Sequence, residues 1–205
     1  EGRDQTADKA GSKLNVAFQI CEINRAQLSD LGIDPKLPDM EMTLSATGET
    51  QQKLVELQKS KKLKIITEPS VVGFANQKFG YFSGGEVTIP LPDTDDGPTE
   101  EKREFGTRVE VTPTWEADGR VKLQWFISHS VLDESLAVRQ NGKLVPGIKR
   151  WRLQGSTTTA LGEPAYRIVS MDRGKVWLVR IRTDGYGGPG TSQDPGSPAN
   201  ERPAK

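Results

Sequence analysis

Apolar and polar residues alternate singly near the start of the chain. Leu14, Val16, Phe18 and Ile20 are interleaved with Asn15, Ala17 and Gln19, the two-residue period of a strand with one buried face. A short helical turn is expected over Asn24–Leu31, closed by Gly32. Pro35 and Pro38 stiffen the next connection, and Glu49–Lys62 is the one good helix candidate. Thr47 can cap it, Glu49 suits its positive end, Leu54 and Leu57 share a face, and Lys59, Lys61 and Lys62 suit its negative end. Leu63–Thr67, Val71–Ala75 and Lys78–Ser83 then read as strands, with Asn76-Gln77 as the bend between the last two.

Further on, Thr107, Val109 and Val111 alternate with Arg108 and Glu110, and Asp118-Gly119 is the clearest hairpin turn in the chain. Beyond it Val121, Leu123, Trp125 and Ile127 face one way, and Lys122, Gln124 and Ser128 the other. Asp172-Arg173-Gly174 joins Tyr166–Met171 to Lys175–Arg182. Strands repeated with short turns predict a mainly β (α+β) fold, antiparallel with one short helix. The period does not choose between sandwich and barrel.

Composition changes this picture in three ways. Hydrophobic residues make up 34% of the 205 and mean hydropathy is -0.59, so apolar side chains must be used economically, as one-faced strands use them. The 28 basic and 28 acidic residues cancel, which removes the charge argument for a nucleic-acid partner. No run reaches the roughly 18 apolar residues of a membrane-spanning helix, which leaves a β-barrel open. The chain opens on Glu1 without an apolar signal core and is expected to be a processed form or part of a longer protein. Residues 1–12 and 185–205, polar and then rich in Gly, Pro and Ser, are expected to be disordered flanks of a folded unit at 13–184.

Candidate chemistry is sparse. Cys21 is the only cysteine and His129 the only histidine, so neither an intrachain disulfide nor a two-histidine zinc site can form. Cys21 is expected to be a small buried strand residue, and His129 a partly buried, hydrogen-bonded one continuing the face of Trp125 and Ile127. Asp93, Asp95 and Asp96 lack the spacing of an EF-hand, and no nucleophile elbow, phosphate loop or dinucleotide fingerprint occurs. No enzyme activity and no cofactor are expected. Trp115, Trp125, Trp151, Trp177 and Tyr166 sit in or beside strands, as core residues or as a membrane-interface belt. Leu144–Arg152 is amphipathic, and Trp151, Lys149, Arg150 and Arg152 are candidate membrane contacts, unless the segment is a plain surface hairpin tip.

From Leu14 onward the order of short phrases resembles the core of the secretin family, the gated outer-membrane channels of type II and type III secretion and of pilus export. The phrases are LNVAFQICEI at 14–23 with Glu22 in the acidic position, Leu31-Gly32-Ile33, Glu68-Pro69, Asn76, Gly84-Gly85-Glu86, Ile89-Pro90, and Gly106-Thr107-Arg108-Val109-Glu110-Val111-Thr112-Pro113. An Asp-Gly hairpin and a strand ending in serine follow, matched by Val121–Ser130. The resemblance covers roughly 14–160. It lapses at the C-terminal end, where Gly162-Glu163-Pro164 is all that hints at the family's Asp-Gly turn and no Gly-Gly-Leu appears.

The resemblance implies strands contributed to a multimeric β-barrel, a homo-oligomeric ring in the outer membrane that passes secreted protein or a pilus and meets other secretion-system components. It also makes Gly84–Gly106 the gate of the pore. Pro90, Pro92 and Gly97 suit a sharply reversing loop in an aqueous lumen. Asp93, Asp95, Asp96, Glu100 and Glu101, repeated around a ring with Gly84 and Gly85 at its base, would form a negative collar. The alternative is a soluble β-rich binding or scaffold module that kept the secretin core without a pore.

Overall fold

The computed structural model describes residues 11–36, 42–44, 46–90, 100–140, 142–170 and 174–186. In chain order they form β1 (Lys13–Asn24), a 3-10 helix (Arg25–Leu31), β2 (Met42–Leu44), α1 (Gly48–Lys59), β3 (Leu63–Thr67), β4 (Ser70–Phe74) and β5 (Phe79–Pro90). Then follow β6 (Glu100–Trp115), β7 (Val121–Gln140), β8 (Lys143–Thr159), β9 (Pro164–Ser170) and β10 (Lys175–Gly185). Two antiparallel sheets result. The body sheet runs β2-β9-β10-β1-β3, with β4 also paired to β1, and the long sheet runs β5-β6-β7-β8.

The expected alternation in β1 is present: Leu14, Val16, Phe18 and Ile20 are buried. Cys21 and Ile23 are buried too, and as odd positions they face the opposite side. In β10, Trp177, Val179 and Ile181 share the first face, and Val176 and Leu178 the second. The first face joins Val109, Val111, Val121, Leu123, Trp125 and Ile127 of the long sheet in one core. The second joins Leu28 and Leu31 of the 3-10 helix, Leu57 of α1, and Tyr166 and Ile168 in another. The body sheet is therefore the middle of three layers, and burying both faces of its central strands offsets the low apolar content. Cys21 is a free, buried thiol, and desolvation, with the Glu68 carboxylate nearby, pushes its pKa up to about 12. It is inert at neutral pH.

Local signals act where expected. At the start of the 3-10 helix Asn24 N donates to Gln27 Oε1 at 3.0 Å, and Gly32 closes it at φ 75°. Thr47 Oγ1 accepts from Thr50 N at 3.1 Å to start α1. This helix ends at Lys59, three residues before its expected limit. Lys61 takes a left-handed φ of 57°, and Lys62 N reaches back to Leu57 O at 2.9 Å, a Schellman closure. Asn76, at φ 63°, does turn the chain between β4 and β5. The two strands lie in different sheets, so the bend carries the chain across the sandwich. Gly119, at φ 83°, joins β6 to β7. Asp172 and Arg173 lie outside the described residues, but β9 and β10 pair antiparallel on either side of them.

Trp125, Trp177 and Tyr166 are buried, while Trp115 and Trp151 are partly buried against the same sandwich core. Of Val121–Val131, the nearest approach to a lipid-facing strand pattern, Val121, Leu123, Trp125 and Ile127 are covered by the body sheet, while Val131 is exposed.

Candidate functional site

The long sheet is the feature that departs from an ordinary sandwich. Its strands have 12, 16, 20 and 17 residues. At about 3.3 Å per residue the longest spans roughly 65 Å, well beyond the width of the body sheet. The cover of its inner face ends at the rung Ser83–Thr107–His129–Trp151. Farther out, Val131, Leu132, Leu136, Val138 and Leu144 are exposed. The outer edges of β5 and β8 pair with no strand among the described residues.

His129 closes the junction between the sheets. Its ring stacks on Trp151 at 5.9 Å and meets the edge of Trp177 at 5.6 Å, and Nδ1 lies 2.8 Å from Thr107 Oγ1. Burial holds its pKa below the ordinary 6.5. Neutral imidazole is therefore favoured by the folded state, and stability is full above the unfolded pKa. As pH falls below 6.5 the unfolded chain takes up the proton first, and stability is lost toward the lower folded value. His129→Gln is expected to flatten the fall in urea midpoint between about pH 7.5 and about pH 5. An unchanged slope would show that carboxylates alone set it.

One rung farther out, Gly84, Gly106, Ser130 and Arg150 align across the four strands. A Cβ on Gly84 would overlap the Phe105 carbonyl oxygen, and one on Gly106 would overlap Ser83 O and Gly84 Cα. Gly106 stands at φ 128°, where side-chain-bearing residues are strained. The backbones of β5 and β6 therefore cross at closer range than any other pair of residues allows, and the Phe105 ring lies over Gly85. A second irregularity sits in β7, where the register slips between Asp133 and Val138.

Above the glycine rung, β5 and β6 continue as a paired hairpin from Gly85–Phe105 to Pro90–Glu100. The expected loop over Gly84–Gly106 is thus largely strand: Gly84, Gly85 and Pro90 lie in β5, and Glu100 and Glu101 in β6. Pro92, Asp93, Asp95, Asp96 and Gly97 lie outside the described residues. Charge pairs replace apolar burial along the arms. Arg103 Nη2 meets Glu101 Oε2 at 2.8 Å, Lys102 meets Glu86 at 3.8 Å, and Arg108 meets Glu104 at 2.8 Å. The bond from Arg103 lowers the pKa of Glu101, so this carboxylate stays ionised at neutral pH.

The four candidate membrane contacts divide between two faces of β8. Trp151 turns toward the junction, with Lys149 Nζ 5.1 Å from its ring centre. Arg150 and Arg152 are exposed on the opposite face. The run in which they lie belongs to β8 and starts at the turn end of its hairpin with β7, where Leu144 pairs with Arg139.

A family model described as Secretin, bacterial type II and III secretion system protein, matches residues 56–163, more than half of the chain. The chain belongs to the secretin family. Among solved structures it is similar to InvG, the secretin of the Salmonella SPI-1 type III secretion injectisome. That match has 11% identity and a TM-score of 0.55, covering 92% of this chain and 69% of the other. The V. cholerae type IV competence pilus secretin PilQ matches at 10% identity and a TM-score of 0.53, over 87% of this chain and 62% of the other. A Klebsiella pneumoniae type II secretion system outer membrane complex of PulD, PulS and the PulC HR domain gives 12% identity and a TM-score of 0.50, over 85% and 40%. The shared property is the fold, mostly antiparallel β with few short helices. Curated protein sequences give no match. The chain spans 49% of the InvG chain in an atomic model of the injectisome basal body.

Proposed function

We propose that this chain is the wall-forming core of a gated, multimeric outer-membrane secretin channel, with residues 13–184 as the folded unit and 1–12 and 185–205 as flanks. The observation that carries this reading is the long sheet with its two open edges. Four antiparallel strands leave the first and last running in opposite directions. The β8 edge of one copy can then pair with the β5 edge of the next as another antiparallel ladder. The same step repeats for any number of copies until the ring closes and no edge remains.

In that ring the β5–β6 hairpin above Gly84 and Gly106 projects as the constriction. Glu100 and Glu101, with Asp93, Asp95 and Asp96 between the arms, form its negative collar. The exposed tip of β7–β8, through Leu132, Leu136, Val138 and Leu144, is the membrane contact, flanked by Lys149, Arg150 and Arg152. The passenger is a secreted protein or a pilus, and the role is passive, without catalysis.

The test is the mass of the full-length parent protein extracted from its envelope in mild detergent, by light scattering. A large, detergent-dependent ring is expected. A water-soluble monomer or small oligomer would sink the pore and leave a secretin-derived binding module.

A further inference from the structure

On the face of the long sheet turned away from the body, two adjacent rungs bring together unusually small and unusually long side chains. One rung places Arg108, Ser128 and Arg152 side by side on β6, β7 and β8, and the next places Gly106, Ser130 and Arg150. Residues opposite one another share a face, so Gly106, Ser128 and Ser130 form a floor and the three arginines rise around it. The resulting cup encloses about 170 Å³, room for one small oxyanion with a few waters and too little for a nucleotide.

Three guanidinium groups face a single carboxylate here. Glu104 Oε2 accepts from Arg108 Nη2 at 2.8 Å, and the Glu104 carbonyl oxygen accepts from Arg150 Nη2 at 3.1 Å. Each of those forks keeps further donors. Arg152 forms no ion pair among the described residues. The next carboxylate along β6, Glu110, is held by Lys78 at 2.6 Å. Arg108 is steadied over the Phe82 ring at 4.9 Å, which reduces the rotamer freedom it loses on binding. Like charges gathered at this spacing repel, and a dianion between them removes the repulsion while accepting several charged hydrogen bonds at once.

We infer that this cup is a binding site for a phosphoryl oxyanion. Phosphate suits it better than a carboxylate because its oxygens diverge in three dimensions, matching arginines that approach from two strands on either side of the floor. The site lies within one copy of the chain, so it stands whether or not the ring forms. Lys149 and Trp151, on the other face of β8, take no part.

The chain is titrated by calorimetry with inorganic phosphate at low ionic strength. Saturable one-site binding is expected, weakened about tenfold or more by Arg152→Gln and by Arg150→Gln. Lys122→Gln, the same charge change outside the cup on the same face, is expected to leave affinity within about twofold. Arg152→Lys, which keeps the charge but loses the fork, should fall between. No saturable binding, equal weakening by Lys122→Gln, or binding of an acidic peptide without phosphate would each overturn the site. The source is then read from vesicles. Binding to phosphatidylcholine vesicles containing phosphatidylglycerol, competed by free phosphate, assigns the cup to a lipid head group. Phosphate binding without vesicle binding assigns it to a soluble phosphate.

Discussion

Trp125→Ala is expected to destabilise the chain by about 3–5 kcal/mol. Trp125 is 3% exposed and stands at the centre of the contact between the two sheets, opposite Val111 and Gly155. Directly opposite on β8, Gly155 has no side chain to refill the cavity. The indole Nε1 also donates to Thr157 Oγ1 at 3.1 Å inside the sheet interface, and truncation removes that bond. A domain of this size is stable by about 5–15 kcal/mol in total, so the loss is a large fraction. Trp125→Phe, which keeps most of the apolar surface, should cost about 1–2 kcal/mol, and the exposed Lys122→Ala less than about 0.5 kcal/mol. Urea unfolding of the three variants checks the order. A cost under about 1 kcal/mol for Trp125→Ala would mean that the sheets do not rely on each other.

What the sequence made readable follows the burial. β1, the first half of β7, the start of α1 and the Gly32 end of the 3-10 helix carry local signals that act in the structure. The lysine run expected to end α1, by contrast, lies mostly past its close at Lys59. Long strands that leave the body have no reason to alternate. The run EEKREFG at 100–106 reads as a charged loop, yet it is half of a hairpin held by its ladder and by pairs such as Arg103 with Glu101. β8 was hidden by Pro146, Gly147 and Gly155 among its basic residues. Its pairing becomes visible only once β7 is known to continue to Gln140. The exchange of β4 and β5 between sheets is a non-local choice that Asn76 permits but does not dictate. The cup was half legible. Counting back from Asp118-Gly119 sets Arg108 opposite Ser128. Asn141-Gly142 is a hairpin turn signal that went unread between β7 and β8, but a count from it would not reach Arg152, because the register slips between Asp133 and Val138.

Gly106→Ala is expected to open the β5–β6 hairpin above its crossing point and to cost about 3 kcal/mol or more, combining backbone strain with a backbone clash. The φ of 128° at Gly106 disfavours any Cβ, and this one would have to displace Ser83 O and Gly84 Cα. Neither is a flexible side-chain end, so relief requires the strands to separate at the Gly84–Gly106 rung. Above that rung the hairpin has no body sheet beneath it, and its ladder and exposed ion pairs add little independent stability. Amides from Gly85 to Ile89 and from Glu101 to Phe105 should therefore lose hydrogen-exchange protection, while Leu123–Ile127, held by the sandwich core, keep theirs. Gly48→Ala, where a Cβ meets nothing within 4 Å, is the control and should leave both regions unchanged. Equal protection in Gly106→Ala and the unsubstituted chain would refute the close crossing. In the channel proposed above, the same loosening places the failure at the constriction. Gly106→Ala rings should then form normally through the β5 and β8 edges yet leak ions at rest, which bilayer conductance would record. Rings that fail to assemble would instead place the glycine rung in the construction of the wall.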